Sequence, residues 1–132
     1  MQTGELRIST HRRCQMVPVT DKVAALVRER GWRDGVLTLF VPHTTAGITI
    51  NENADPDVAR DMECYFERLV PENLGFRHAE GNSDAHIKAT LAGISLQVIV
   101  CSGLLRLGTW QGIYLCEFDG PRERQLQLAF TS

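Results

Sequence analysis

From residue 95 onward the sequence holds four apolar runs, 95–101, 104–107, 111–118 and 125–130, with no helical pattern between them. Neighbouring strands of this kind join as hairpins and run antiparallel, because a parallel pair needs a crossover of about a dozen residues or more. The last run alternates Leu126, Leu128 and Phe130 with polar residues, the period of a strand buried on one face. Asp119-Gly120-Pro121-Arg122, just before it, is turn chemistry.

The rest of the chain fits the same frame. Residues 5–9 and 14–19 read as two short strands around the basic turn Thr10-His11-Arg12-Arg13. A helix follows, capped by Thr20, with Val23, Ala24, Leu26 and Val27 at helical spacing and Gly31 as a left-handed stop. Residues 36–41 and 46–50 are strands, interrupted at Pro42. Asp55-Pro56 starts a second helix reaching about residue 69, with Val58, Met62, Tyr65, Phe66 and Leu69 on one face. Asn82-Ser83-Asp84 offers caps for a shorter helix over residues 85–92, ended by Gly93. The order ββ-α-ββ-αα-ββββ predicts one α+β domain, residues 1–132, in which a largely antiparallel sheet packs with about three helices.

Composition narrows the function classes. A balance of 14 Lys+Arg against 16 Asp+Glu, net −2, argues against nucleic acid or an anionic membrane as the main partner. The four cysteines are far apart, without Cys-x-x-Cys spacing, and those at 64, 101 and 116 read as small buried hydrophobes. No apolar run approaches the roughly 20 residues of a bilayer helix, and the first residues lack a secretory pattern. The expectation is a cytoplasmic protein with a small-molecule substrate. No Walker loop, dinucleotide glycine fingerprint, His-Glu-x-x-His or serine elbow is present.

The chemistry-bearing residues fall into three groups. His43, His78 and His86 lie in polar, turn-like contexts, and three imidazoles with an open position can hold a divalent metal such as zinc. The other reading is scattered surface histidines. His86 stands near a helix N-terminus, where the macrodipole favours neutral imidazole, the form that binds metal or acts as a base. The polar link after residue 50 places Glu52 as a general base, a substrate ligand or a surface residue, while Asp55 is a helix cap. In the third group Arg106, Thr109 and Gln111 can donate to an anionic oxygen, and Trp110 either stacks on a flat ring or fills a core gap. Lys88 and Arg122 add positive charge, and Thr44 and Asn51 complete the expected substrate-binding set.

The stretches His43-Thr44-Thr45-Ala46, Asn51-Glu52, Asp55-Pro56, His78, Gly81-Asn82-Ser83-Asp84-Ala85-His86-Ile87-Lys88, Gly108-Thr109-Trp110-Gln111 and Asp119-Gly120-Pro121-Arg122 together make the chain similar to the YjbQ-like family. The resemblance covers nearly the whole chain; Ser83 departs slightly from the family's middle block. It implies a compact α+β subunit assembling as a homotrimer, with a polar pocket containing the three histidines. The activity it implies is thiamine-phosphate synthase-like, weak or secondary: a pyrimidine pyrophosphate joined to a thiazole phosphate. Zinc or magnesium is the expected cofactor, and Glu52 and His86 the expected catalytic pair. Two other readings stay open: a different metal-dependent enzyme acting on a phosphorylated or carboxylated metabolite, and a non-catalytic metabolite-binding oligomer.

Overall fold

The computed structural model describes residues 1–132. The elements in chain order are β1 (Gln2–Ser9), β2 (Gln15–Pro18), α1 (Thr20–Arg30), β3 (Gly35–Phe40), β4 (Ala46–Glu52), α2 (Pro56–Leu69), α3 (Ser83–Ala92), β5 (Ser95–Cys101), β6 (Leu104–Leu105), β7 (Gln111–Glu117) and β8 (Glu123–Thr131). The expected α+β class and element order hold, with every strand pair antiparallel. The strands divide into two sheets, a five-stranded one in the order β1-β8-β3-β5-β6 and a three-stranded one in the order β2-β7-β4.

The small sheet is the middle layer. On β7, Ile113 and Leu115 enter the main core facing the large sheet, whereas Tyr114 and Cys116 enter a second core facing the helices. A period of two side chains places neighbours on opposite faces, so both faces of this strand are apolar. The main core also takes Val23, Leu26 and Val27 of α1, and stacks Trp32 on Phe130 at 5.3 Å. The second core packs Ala85 and Ala89 of α3 and Met62 and Phe66 of α2 onto the small sheet. Gly47 lets this layer close up, since a Cβ there would stand 2.6 Å from the Gly93 carbonyl oxygen.

Several local expectations are corrected. Thr20 does not cap α1: it is the first helical residue, and its hydroxyl accepts the Ile113 N–H at 2.8 Å, tying the helix to the small sheet. The apolar stripe of α2 is only partly used, for Met62 and Phe66 turn inward while Tyr65 and Leu69 remain 60% and 51% exposed. Cys64 is exposed, because it falls on the outer side of the same helix. Asp55 caps α2 as expected, accepting the Asp57 N–H at 2.9 Å, and Gly31 closes α1 in the left-handed conformation. No helix is long and apolar enough to cross a membrane.

Candidate functional site

Sheet geometry sorts the expected site residues into two ends. His43 follows β3 and leads into β4 at Ala46, opposite Glu117, the last residue of β7. At the other end of the same ladder Glu52 stands opposite Gln111, the first residue of β7. Six residues of strand separate these ends, roughly 20 Å at about 3.3 Å per residue. Asn51, Glu52, Thr109, Trp110 and Gln111 therefore lie away from the histidines within one chain, and Arg106 follows β6, whose partner is the far end of β5.

Beside the Glu117 end is a cavity of about 430 Å³. His43, Thr44, His78, His86 and Arg122 line it, together with Thr45, Glu80, Asn82, Asp119 and Arg124, and Pro42 is its single hydrocarbon side chain. A groove of about 620 Å³ beside α2 is larger but mostly apolar. The rings of His78 and His86 meet edge to face at 5.4 Å.

The cavity rests on a buried ion pair that sequence reasoning missed. Arg124 Nε donates to Glu117 Oε1 at 2.8 Å and its Nη2 to Glu117 Oε2, while Nη2 also reaches the Thr45 hydroxyl at 2.9 Å. Thr10 donates its hydroxyl to Glu117 Oε1 at 2.8 Å, and the Asp119 N–H donates to Oε2 at 3.0 Å. With the Glu117 carboxylate fully surrounded, both charges are matched although the pair is almost completely buried. The only available signal was weak: a Glu next to the last residue of one apolar run and an Arg just before the next.

The turn after β7 is held equally firmly. Arg122 Nε donates to the Asp119 carbonyl at 2.7 Å and Nη2 to Asp119 Oδ2 at 2.9 Å, which leaves Nη1 without a bond in the chain. Asn82 Nδ2 donates to the same Asp119 oxygen at 2.9 Å, while Asn82 Oδ1 is buried without a partner. Gly120 is required in this turn, since a Cβ would stand 2.3 Å from the Arg12 carbonyl oxygen. Burial and then the neighbouring Arg124 charge hold the His43 imidazole below its ordinary range.

Lys88 does not face the cavity. Its side chain is 1% exposed, and the ammonium donates to Asp84 Oδ2 at 2.8 Å. Arg13 grips both oxygens of that carboxylate, each at 3.0 Å. Burial alone would raise the Asp84 carboxyl, but the hydrogen bonds from Arg13 and Lys88 hold it below the usual carboxylate range. At the far end, Trp110 is 64% exposed, so it does not fill a core gap, and Gln111 accepts the Gly108 N–H at 2.8 Å to close the turn.

The donor set does not fit a metal as placed. No three His, Cys, Asp or Glu side chains stand close enough together to hold an ion. His43 has also committed Nε2 as acceptor of the Gln125 N–H, at 2.9 Å. A metal-bound histidine ordinarily donates its second N–H instead.

Known proteins share this whole architecture. UPF0047 protein YugU of Bacillus subtilis is 53% identical over 120 residues, covering 90% of this chain and 91% of the relative. UPF0047 protein MJ1081 of Methanocaldococcus jannaschii is 50% identical over 119 residues, covering 90% and 86%. A crystal structure of a hypothetical protein from Aeropyrum pernix superposes with a TM-score of 0.95 at 37% identity, over 100% of this chain and 99% of that one. A YjbQ/UPF0047 family protein from Clostridium acetobutylicum gives 0.92 at 50% identity, over 96% and 98%. The model of the family described as UPF0047 protein YjbQ-like matches residues 4–132, and the chain belongs to that family.

Proposed function

We propose that this chain is an enzyme acting on a small anionic metabolite in the histidine cavity, with the thiamine-phosphate synthase-like transfer as its reaction. The observation that carries the reading is the lining: imidazoles, hydroxyls and, beside the carboxylates of Glu80 and Asp119, the guanidinium groups of Arg124 and Arg122, the latter with a free Nη1, and almost no hydrocarbon. In such a transfer the bond from the pyrimidine methylene to pyrophosphate breaks as a bond to the thiazole nitrogen forms. The departing pyrophosphate needs positive charge, and Arg122 supplies it. His86 is placed to take or return a proton.

Apart from its imidazoles the cavity has no flat ring, and no wall of Phe, Tyr or Trp on which a pyrimidine would stack, while Trp110 stands exposed about 20 Å away at the other end of the strand. We therefore include the homotrimer in the proposal: Trp110, Glu52 and Arg106 of one copy complete the cavity of the next, in a cytoplasmic assembly. Exposed Val36, Phe40 and Ile99 on the outer face of the large sheet give copies apolar surface to bury. The same missing wall favours a second reading, in which the substrate is a smaller phosphorylated or carboxylated molecule without a flat ring.

Turnover of the two thiamine precursors by purified protein, with and without magnesium, tests the reaction. The expected result is thiamine phosphate above the level of a His86→Ala control. Equal product from both proteins overturns the transfer. Light scattering tests the assembly, with three times the 14.8 kDa chain mass expected and a monomer overturning it.

A further inference from the structure

The misfit between His43 and a metal has a positive meaning. A neutral imidazole has one nitrogen that accepts a hydrogen bond and one that donates. Nε2 of His43 is the acceptor, since the backbone N–H of Gln125 on β8 points at it from 2.9 Å. The proton therefore sits on Nδ1. Giving the Nδ1 lone pair to a metal would leave the ring with no proton, an imidazolate, and protonating Nε2 would set two N–H donors against each other. Nδ1 makes no bond within the chain, and the ring lines the cavity beside Thr44 and Arg122.

We infer that His43 is a fixed neutral donor, offering Nδ1–H to an oxygen of the anion bound in this cavity, and is neither a metal ligand nor the general base. The inference rests on the reading of the cavity as the functional site, and it narrows the ligand to one with an accepting oxygen such as a phosphoryl group. Its neutral state suits that role, because a neutral donor polarises an oxygen without transferring a full proton to it. His43 is thus a binding group whose orientation is set by a strand of the large sheet, while proton transfer falls to His86.

Nitrogen-15 NMR of the histidine side chains in the unmodified protein at pH 7 tests this. The expected result is a His43 ring protonated on Nδ1 only, whose Nδ1 resonance moves on addition of inorganic phosphate and does not move with zinc. Protonation on Nε2, coordination shifts with zinc, or no response to phosphate each overturns the inference. A His43→Gln variant, able both to accept from Gln125 and to donate, is expected to bind phosphate within about threefold of the parent, while His43→Ala weakens it at least about tenfold, as loss of one charge-assisted bond implies. Equal binding by the parent and the Ala variant also overturns it. An Nδ1-protonated ring in a protein that fails to make thiamine phosphate would sink the proposed reaction and leave His43's role standing.

Discussion

A lysine in a sequence carries no mark of whether it meets water, and Lys88 shows the consequence. Placed by the family motif beside His86, it reads as a cation for a substrate, yet the helix turns it onto Asp84, four residues back, under the side chain of Arg13. What the sequence could not supply was the long-range partner, since Arg13 and Asp84 are 71 residues apart. Asp84→Asn leaves two cations facing one neutral amide, and should cost about 3–5 kcal/mol in urea unfolding. Lys88→Met, which removes a charge together with its need for a partner, should cost far less. If the two variants unfold alike, the network is not what stabilises this corner. The thiols obey the same rule of surroundings. Burial pushes Cys14 up to about 11 and Cys116 up to about 12, while Cys64 is exposed. A thiol reagent at pH 8 should label Cys64 first and reach Cys14 and Cys116 only on unfolding, which peptide mapping reads directly.

At the level of elements, hydrophobic period was a good guide wherever one face met solvent. β8 alternates in the sequence and alternates in the fold, with Leu126, Leu128 and Phe130 buried. Where both faces are covered, period is silent: nothing in Gln111 to Glu117 says that odd positions serve one core and even positions another. Division of the strands between two sheets was hidden for the same reason. Thr20 failed as a cap because a tertiary partner, the Ile113 amide, took the hydroxyl that local chemistry assigned to the helix. Leu115→Ala, in the middle of β7 and fully buried between layers, should lower stability by about 2–5 kcal/mol. Leu69→Ala, on the exposed part of the α2 stripe, should stay within about 0.5 kcal/mol in an isolated subunit. A cost at Leu69 that grows with protein concentration would show that this stripe is covered in the assembly.

For the whole molecule, the decisive fact is that the family motifs collect at opposite ends of one sheet. Spacing along the chain cannot show this, since Glu52 is only nine residues from His43, yet the strand between them is extended and paired in unbroken register from Ala46 to Glu52. If the proposed trimer completes each cavity with a neighbour's Trp110, two inactive variants, His86→Ala and Trp110→Ala, should recover part of the activity when unfolded and refolded together. No recovery in mixed trimers means that each chain works alone. Stability should also fall with acid in two windows. His43, held neutral, opposes folding as pH drops below its unfolded value of about 6.5, and Asp84 loses its contribution as pH falls below about 3.9 and through its lowered folded value. Finally, the middle layer gives the molecule an uneven clock. Amide hydrogens of β7, roofed on both sides, can exchange with solvent only when nearly everything opens, whereas residues 71–81, exposed except at Phe76, can exchange by small local openings. Arg122 closes the turn that links the slow strand to β8, pinned there through Asp119, and His78 belongs to the fast segment. The cavity thus joins a wall that keeps its shape to one that can yield, and a ligand bridging them should be felt first as slowed exchange around His78.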